Sequence, residues 1–146
     1  MLQKLIPSND ILLHQPIEKC SYDLDRHKIS LLLKEHMLHY NGVGLSANQI
    51  GIVERVFVMM NDIETEETIT CFNPRILKKS RDMVLLEEGC LSYPDKFLEI
   101  HRPNSIVVKY EDEDKKIIKV KLTGFIARIF QHEYDHMEGI DFTQRT

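Results

Sequence analysis

The chain has 146 residues, 42% of them hydrophobic, with 19 basic against 23 acidic side chains and a net charge of −4. That length is about one domain and can bury roughly two thirds of its unfolded surface, which excludes a disordered chain, a collagen and a coiled coil. No apolar run approaches the ~20 residues that span a bilayer, and no basic stripe marks nucleic acid or an anionic membrane as a partner.

The opening Met1-Leu2-Gln3-Lys4 carries no long apolar stretch and no small-residue cleavage site, so no signal or transit peptide is read and a cytoplasmic protein is expected. Three cysteines, Cys20, Cys71 and Cys90, form no C-x-x-C pair. Their odd number fits a reducing compartment without a disulfide framework. The first twenty residues, with Pro7 and Pro16, are expected to run extended over the surface. Ile29, Leu32, Leu33, His36, Met37 and Tyr40 then recur at helical spacing. They predict a helix over about 23–40, capped by Asp23 or Asp25 and ended by Asn41-Gly42.

A β-rich middle follows. Val56, Val58 and Met60 alternate within 52–60, and further strands are predicted at 69–77, 83–88, 98–101, 105–111 and 117–122. The acidic runs Glu64 to Glu67 and Glu111 to Asp114 read as solvated turns, the second as the tip of a hairpin over 111–116. The last long element is a helix over about 123–137, with Thr123 as its N-cap and Gly139 just past its end. Two helices flanking antiparallel strands make an α+β protein, with 1–146 as a single domain.

The final helix contains His132-Glu133-Tyr134-Asp135-His136, an H-E-x-x-H motif. Histidines four apart lie one turn above each other on one helix face and can share a metal ion. Glu133, beside the first, can reach a water whose pKa the metal lowers. At this composition, chance supplies roughly 0.03 copies of the pattern. A catalytic site needs a third protein ligand and an open position. A Glu some twenty residues downstream has no room, because ten residues follow His136. In the longer H-E-x-x-H-x-x-G-x-x-H pattern, Gly139 fits but Phe142 stands where the third histidine belongs. The third ligand therefore comes from earlier in the chain. Cys20 and Cys71 read as small core hydrophobes. Cys90, after Gly89 and shortly before Pro94, is the stronger candidate, with His14, His27, His36, His39 and His101 left open.

The stretch Asn41 to Gly51 holds three glycines. It is not a phosphate loop, since no G-K-[ST] follows and a strand rather than a helix comes next. It reads either as a structural loop or as the carrier of Gln49, whose amide can donate to a developing oxyanion.

Together these segments resemble the peptide deformylase family. Gly42-Val43-Gly44-Leu45-Ser46-Ala47-Asn48-Gln49 is similar to its G-x-G-[LI]-[AS]-A-x-Q, Glu88-Gly89-Cys90-Leu91-Ser92 to its E-G-C-[LI]-S, and Gln131 to Gly139 to its Q-H-E-x-D-H-[LM]-x-G. The likeness in element order covers nearly the whole chain. It implies antiparallel sheets packed around a C-terminal metal-binding helix, with a helix near the N-terminus.

It also implies the site. Cys90, His132 and His136 would hold one divalent ion, with water at the fourth position and Glu133 as general acid and base. Gln49 and the Leu91 backbone N–H would stabilise the oxyanion. Val43, Leu86, Phe125 and Ile129 would line a methionine pocket, and Gly44 would present backbone to substrate. The implied ion is Fe²⁺, with Ni²⁺, Co²⁺ or Zn²⁺ also accepted, as a thiolate and two imidazoles allow. The implied substrates are N-formylmethionyl peptides and nascent chains, with formate released and no membrane or direct nucleic-acid partner. Where many members have Arg after the second motif, this chain has Lys96-Phe97, which alters contacts beyond the methionine. Many members also add a C-terminal segment associated with ribosome docking. Its absence here implies at most a transient ribosome contact.

Overall fold

Val56 to Met60 is a run of five apolar residues, and all five are buried. The computed structural model, which describes residues 2–146, places this run inside an α+β fold. In chain order the elements are α1 (Arg26–His39), β1 (Gly44–Ser46), β2 (Val56–Met60), β3 (Thr68–Lys79), β4 (Met83–Cys90), β5 (Tyr93–Pro103), β6 (Ser105–Glu111), β7 (Ile117–Thr123) and α2 (Gly124–Met137). Five strands form one antiparallel sheet in the order β1-β2-β3-β6-β7, and β4 and β5 form a separate hairpin.

Strand side chains point alternately to the two faces of a sheet. Val56, Val58 and Met60 pack with Ile29, Leu33 and Met37 of α1, and Phe57 and Met59 pack with Phe130 and Met137 of α2. The rings of Phe57 and Phe130 meet edge to face at 5.1 Å. β2 is thus covered on both faces, so its sequence is continuously apolar rather than alternating with polar residues. Burial of each such side chain contributes roughly 1.5–3 kcal/mol. Among the described residues, no helix is long and apolar enough to cross a membrane.

Several expectations shift. α1 begins at Arg26 because Asp25, not Asp23, caps it by accepting from the Lys28 N–H at 3.2 Å. Thr123 stands at the N-cap of α2 in extended conformation but makes no side-chain cap bond. The first twenty residues are not only a surface strap: a 3-10 turn at Ile11–Leu13 buries Leu13, and Ile17 and Cys20 enter the core. The acidic tip after β6 is not wholly solvated either. Arg26 is buried against it, paired with Glu111 at 2.9 Å and donating to the Asp112 carbonyl, and Ser30 donates to Glu113. Glu64 to Glu67 are exposed, as expected. The glycine-rich stretch supplies β1, paired with β2 from Gly44 opposite Met59, and then a 3-10 turn at Ala47–Ile50. β5 includes Pro94, since among the described residues the hairpin's outer edges pair with no further strand, and an edge tolerates a proline.

Candidate metal centre

α2 brings His132 and His136 to one face, one turn apart, with ring centroids 5.2 Å apart. β4 delivers the third group. Its pairing with β5 slips between Gly89 and Cys90, so that Cys90 faces Tyr93. A bulge of this kind bends the strand and re-aims a side chain. One ligand atom from each of Cys90, His132 and His136 lies within 4.8 Å of the others, and Cys90 Sγ is 3.6 Å from His136 Nε2.

The other candidates fall away. Cys71 is fully buried, and burial pushes its thiol well above the usual range. The Cys20 thiol donates to the Arg55 carbonyl at 3.1 Å, and burial pushes it up to about 11. Buried His36 has both nitrogens engaged at 2.7 Å, by the Leu32 carbonyl and the Gln3 N–H. None of His14, His27, His39 and His101 joins the cluster.

The surroundings fix the ligands' chemistry. His132 Nδ1 lies 3.0 Å from Glu88 Oε1. A carboxylate only accepts, so Nδ1 carries the hydrogen and Nε2 is left for a ligand bond. Glu88 is itself buried between Arg102 and Arg128. Burial pushes its carboxyl up, but hydrogen bonds from His132 and Arg102 outweigh that and hold it down at about 2. Burial works against the His132 cation too, yet hydrogen bonding to Cys90 and Glu88 raises the imidazole to about 10. His136 is the opposite case: burial, and then the neighbouring His132, push it down to about 3, which keeps its ring neutral and able to donate a lone pair. One thiolate and two imidazoles, already gathered, suit a divalent ion of borderline softness. The donor set and the neutral His136 ring both fit a metal here.

Glu133 is the group beside that cluster. It is buried, and among the described residues its Oε1 has no hydrogen-bond partner. Burial raises its carboxyl to about 7. Gly44 packs against it so closely that a Cβ there would lie 2.7 Å from Glu133 Oε2. Gly44 thus makes room for the carboxylate, beyond any contact with substrate. Gln49 is buried in the turn after β1. Its Oε1 accepts from the Ser46 N–H and hydroxyl, which directs Nε2 to Ser92 Oγ at 2.9 Å and toward Cys90 Sγ at 3.8 Å.

A cavity of about 670 Å³ opens over these groups. Val43, Gly44, Leu91, Phe125 and Ile129 line it together with Gln49, Cys90, His132 and Glu133. Leu86 does not. It pairs with Ile100, four residues before Cys90. At a strand rise of ~3.3 Å per residue that is about 13 Å along β4, and Leu86 is 45% exposed there.

Sequence reasoning missed two features. Phe97 sits over Gly89, where a Cβ would lie 2.8 Å from its ring, and it forms part of the cavity lip. The signal is Gly89 itself, a residue without a Cβ that lets another group approach closely. The buried charges Arg102 and Arg128 carry no local signal, and Asp135, though it is the fixed Asp of the third motif, has no role that the motif assigns.

The family model described as polypeptide deformylase matches residues 2–146. The peptide deformylase of Thermotoga maritima is 40% identical over 126 residues, covering 86% of this chain and 74% of that protein. The solved structure of peptide deformylase from Thermotoga maritima superposes with a TM-score of 0.92 at 35% identity, covering 99% of this chain and 97% of that one. A probable peptide deformylase from synechococcus phage S-SSM7 gives 0.89 at 39% identity, with 99% of both chains covered. A Met-Ala-Ser-bound class I type b peptide deformylase from Acinetobacter baumannii gives 0.92 at 29% identity, covering 100% and 99%.

Proposed function

The chain belongs to the peptide deformylase family, and we propose how its own residues divide that family's reaction among them. It is a metal-dependent hydrolase that removes the N-formyl group from the N-terminal methionine of nascent polypeptides. Cys90, His132 and His136 would hold a divalent ion, which would supply Lewis acidity by lowering the pKa of a water and polarising a carbonyl. Glu133 takes a proton from a water as that water's oxygen bonds to the formyl carbon. The negative charge that builds on the formyl oxygen is met by Gln49 Nε2–H and the Leu91 backbone N–H. One such donor is worth ~2.7–4 kcal/mol in the transition state. Glu133 then gives its proton to the amine as the C–N bond breaks, leaving formate and a free amino terminus.

The observation that carries this assignment is the buried, unpartnered Glu133 oxygen beside the three-ligand cluster. A carboxyl raised to about 7 can both accept and return a proton near neutrality. The methionine side chain enters between Val43, Phe125 and Ile129, and Gly44 lines the path of the peptide. That one related structure holds Met-Ala-Ser supports a short peptide lying in this cavity. The physiological ion is Fe²⁺, with Ni²⁺, Co²⁺ or Zn²⁺ able to take the same ligands. Residues 1–146 act as a single catalytic domain in the cytoplasm, meeting nascent chains through a transient ribosome contact.

The test is formate release from a formyl-Met peptide and its acetyl counterpart, with the protein loaded anaerobically with Fe²⁺ or Ni²⁺. Turnover of the formyl peptide that is lost in Glu133→Ala, with metal retained, supports the assignment. Full turnover in Glu133→Ala would refute it.

A further inference from the structure

We infer that Arg145 is a positioning residue for the ligand His132, acting through the buried charges of Asp135, Arg102 and Glu88. The inference rests on His132 being a ligand.

Asp135 stands on α2 between the two histidines and is 5% exposed. Its Oδ1 accepts from Arg145 Nη2 at 2.8 Å, and its Oδ2 accepts from Arg145 Nε at 3.0 Å and Arg102 Nη1 at 2.9 Å. Arg102 turns its other edge to Glu88, donating from Nε to Oε2 and from Nη2 to Oε1. Oε1 is the oxygen that takes the His132 Nδ1 hydrogen. An unbroken line of charge-assisted hydrogen bonds therefore runs from Arg145 to the ligand ring. Such bonds are shorter and about twice as strong as neutral ones.

Arg145 is placed to matter in this line. Among the described residues it is the sole donor to Asp135 Oδ1, so its loss leaves a buried carboxylate oxygen unsatisfied. Arg102 would then serve Asp135 alone while still holding Glu88 in two-point contact. The 3-10 turn that presents Arg145, Phe142–Arg145, is anchored at its start by Asp141, which accepts from the Thr143 N–H at 2.9 Å and from the Tyr93 hydroxyl. From the same turn, Phe142 meets the His132 ring at 5.8 Å. An isolated exposed ion pair is worth little. This pair has two-point geometry and ends on a buried acid.

Charge alone predicts the reverse effect. Removing a cation near a divalent ion should tighten the ion, whereas removing a positioning residue should loosen it. The two accounts therefore differ in sign. Removing the direct hydrogen-bond partner of a ligand typically costs 10–100-fold in metal affinity. Further out along the line, about three- to tenfold is expected.

The experiment uses Zn²⁺-loaded protein: wild type, Arg145→Ala, Arg145→Lys and, as a remote control, Arg26→Ala, which loses the Arg26–Glu111 pair. Zinc release to a chromophoric chelator and solvent exchange of the His132 Nδ1–H by ¹⁵N–¹H NMR are measured beside the melting temperature. Expected are faster release and faster exchange in Arg145→Ala, intermediate values in Arg145→Lys, and a lower melting temperature with wild-type release in Arg26→Ala. Release from Arg145→Ala as slow as wild type or slower would overturn the inference. So would equal acceleration in Arg26→Ala. A wild type that binds no zinc would instead remove the ligand reading on which it rests.

Discussion

Gly44→Ala is the most direct test of how Glu133, the proposed general base, is held. A Cβ at this position would lie 2.7 Å from Glu133 Oε2, 3.0 Å from its Cγ and 3.1 Å from its Cδ. Three contacts on one side chain cannot be relieved by turning the carboxylate alone. β1 cannot retreat either, since Gly44, Leu45 and Ser46 are paired with Met59, Val58 and Phe57. Glu133 must move, and it is buried with little room. Overpacking of this kind costs typically ~1–3 kcal/mol. The melting temperature should then fall by roughly 2–4 °C per kcal/mol. The larger effect is catalytic: a misplacement of about 1 Å in a reacting group can cost ~10²-fold. Because Cys90, His132 and His136 are not touched, metal content should stay at one equivalent. The assay is formate release under saturating formyl-Met peptide beside metal analysis of the same sample. The expected result is kcat down about a hundredfold with metal retained. Full kcat in a folded Gly44→Ala protein would refute the claim that Gly44 sets the position of Glu133.

Gly89→Ala should behave differently. Its Cβ would meet the Phe97 ring at 2.8 Å, but that ring is 62% exposed and can swing away. Stability should change by less than about 1 kcal/mol while KM rises for peptides that lie along the lip, and an unchanged KM would separate Phe97 from the substrate path. Acid should weaken the fold through Glu88. Its folded value, about 2, lies below the ordinary 4.5, so its stabilisation is present above about pH 4.5 and is lost as pH falls toward 2. The full span is worth about 3 kcal/mol, of which about 2 should be gone by pH 3. Urea midpoints at pH 5.5 and pH 3 should therefore differ less in Glu88→Gln than in wild type, and equal differences would exclude Glu88 as the source. An Fe²⁺-loaded protein should lose activity in air faster than a Ni²⁺-loaded one, because the Cys90 thiolate sits beside a redox-active ion. Equal lifetimes in matched buffers would count against this.

What the sequence made legible follows the range of the interactions involved. The histidine pair was readable because helical periodicity alone places residues four apart on one face. β2 was readable as a strand, but not as a strand buried on both sides, since that depends on helices arriving from residues 26–39 and 124–137. Cys90 could be separated from Cys20 and Cys71 only weakly from local pattern. What distinguishes it in space is the slip of β4 against β5 at Gly89, a property of a hairpin pairing and not of five residues.

Glu88 and Asp135 stand in the quoted motifs, but the meeting of the charges behind the ligands was invisible, for a stronger reason. Glu88, Arg102, Arg128 and Asp135 have the composition of a solvated surface. Buried singly, each would carry a desolvation cost of several kcal/mol. Their burial is tolerable because they meet, across 14, 33 and 40 positions of sequence, in one hydrogen-bonded cluster. No periodicity encodes such a meeting. The same physics makes the cluster more than filler. Glu88 must stay ionised to hold the His132 hydrogen, and it stays ionised because two guanidinium groups face it in the interior. The part of the site hardest to read from the sequence is therefore the part that decides which nitrogen of His132 faces the metal.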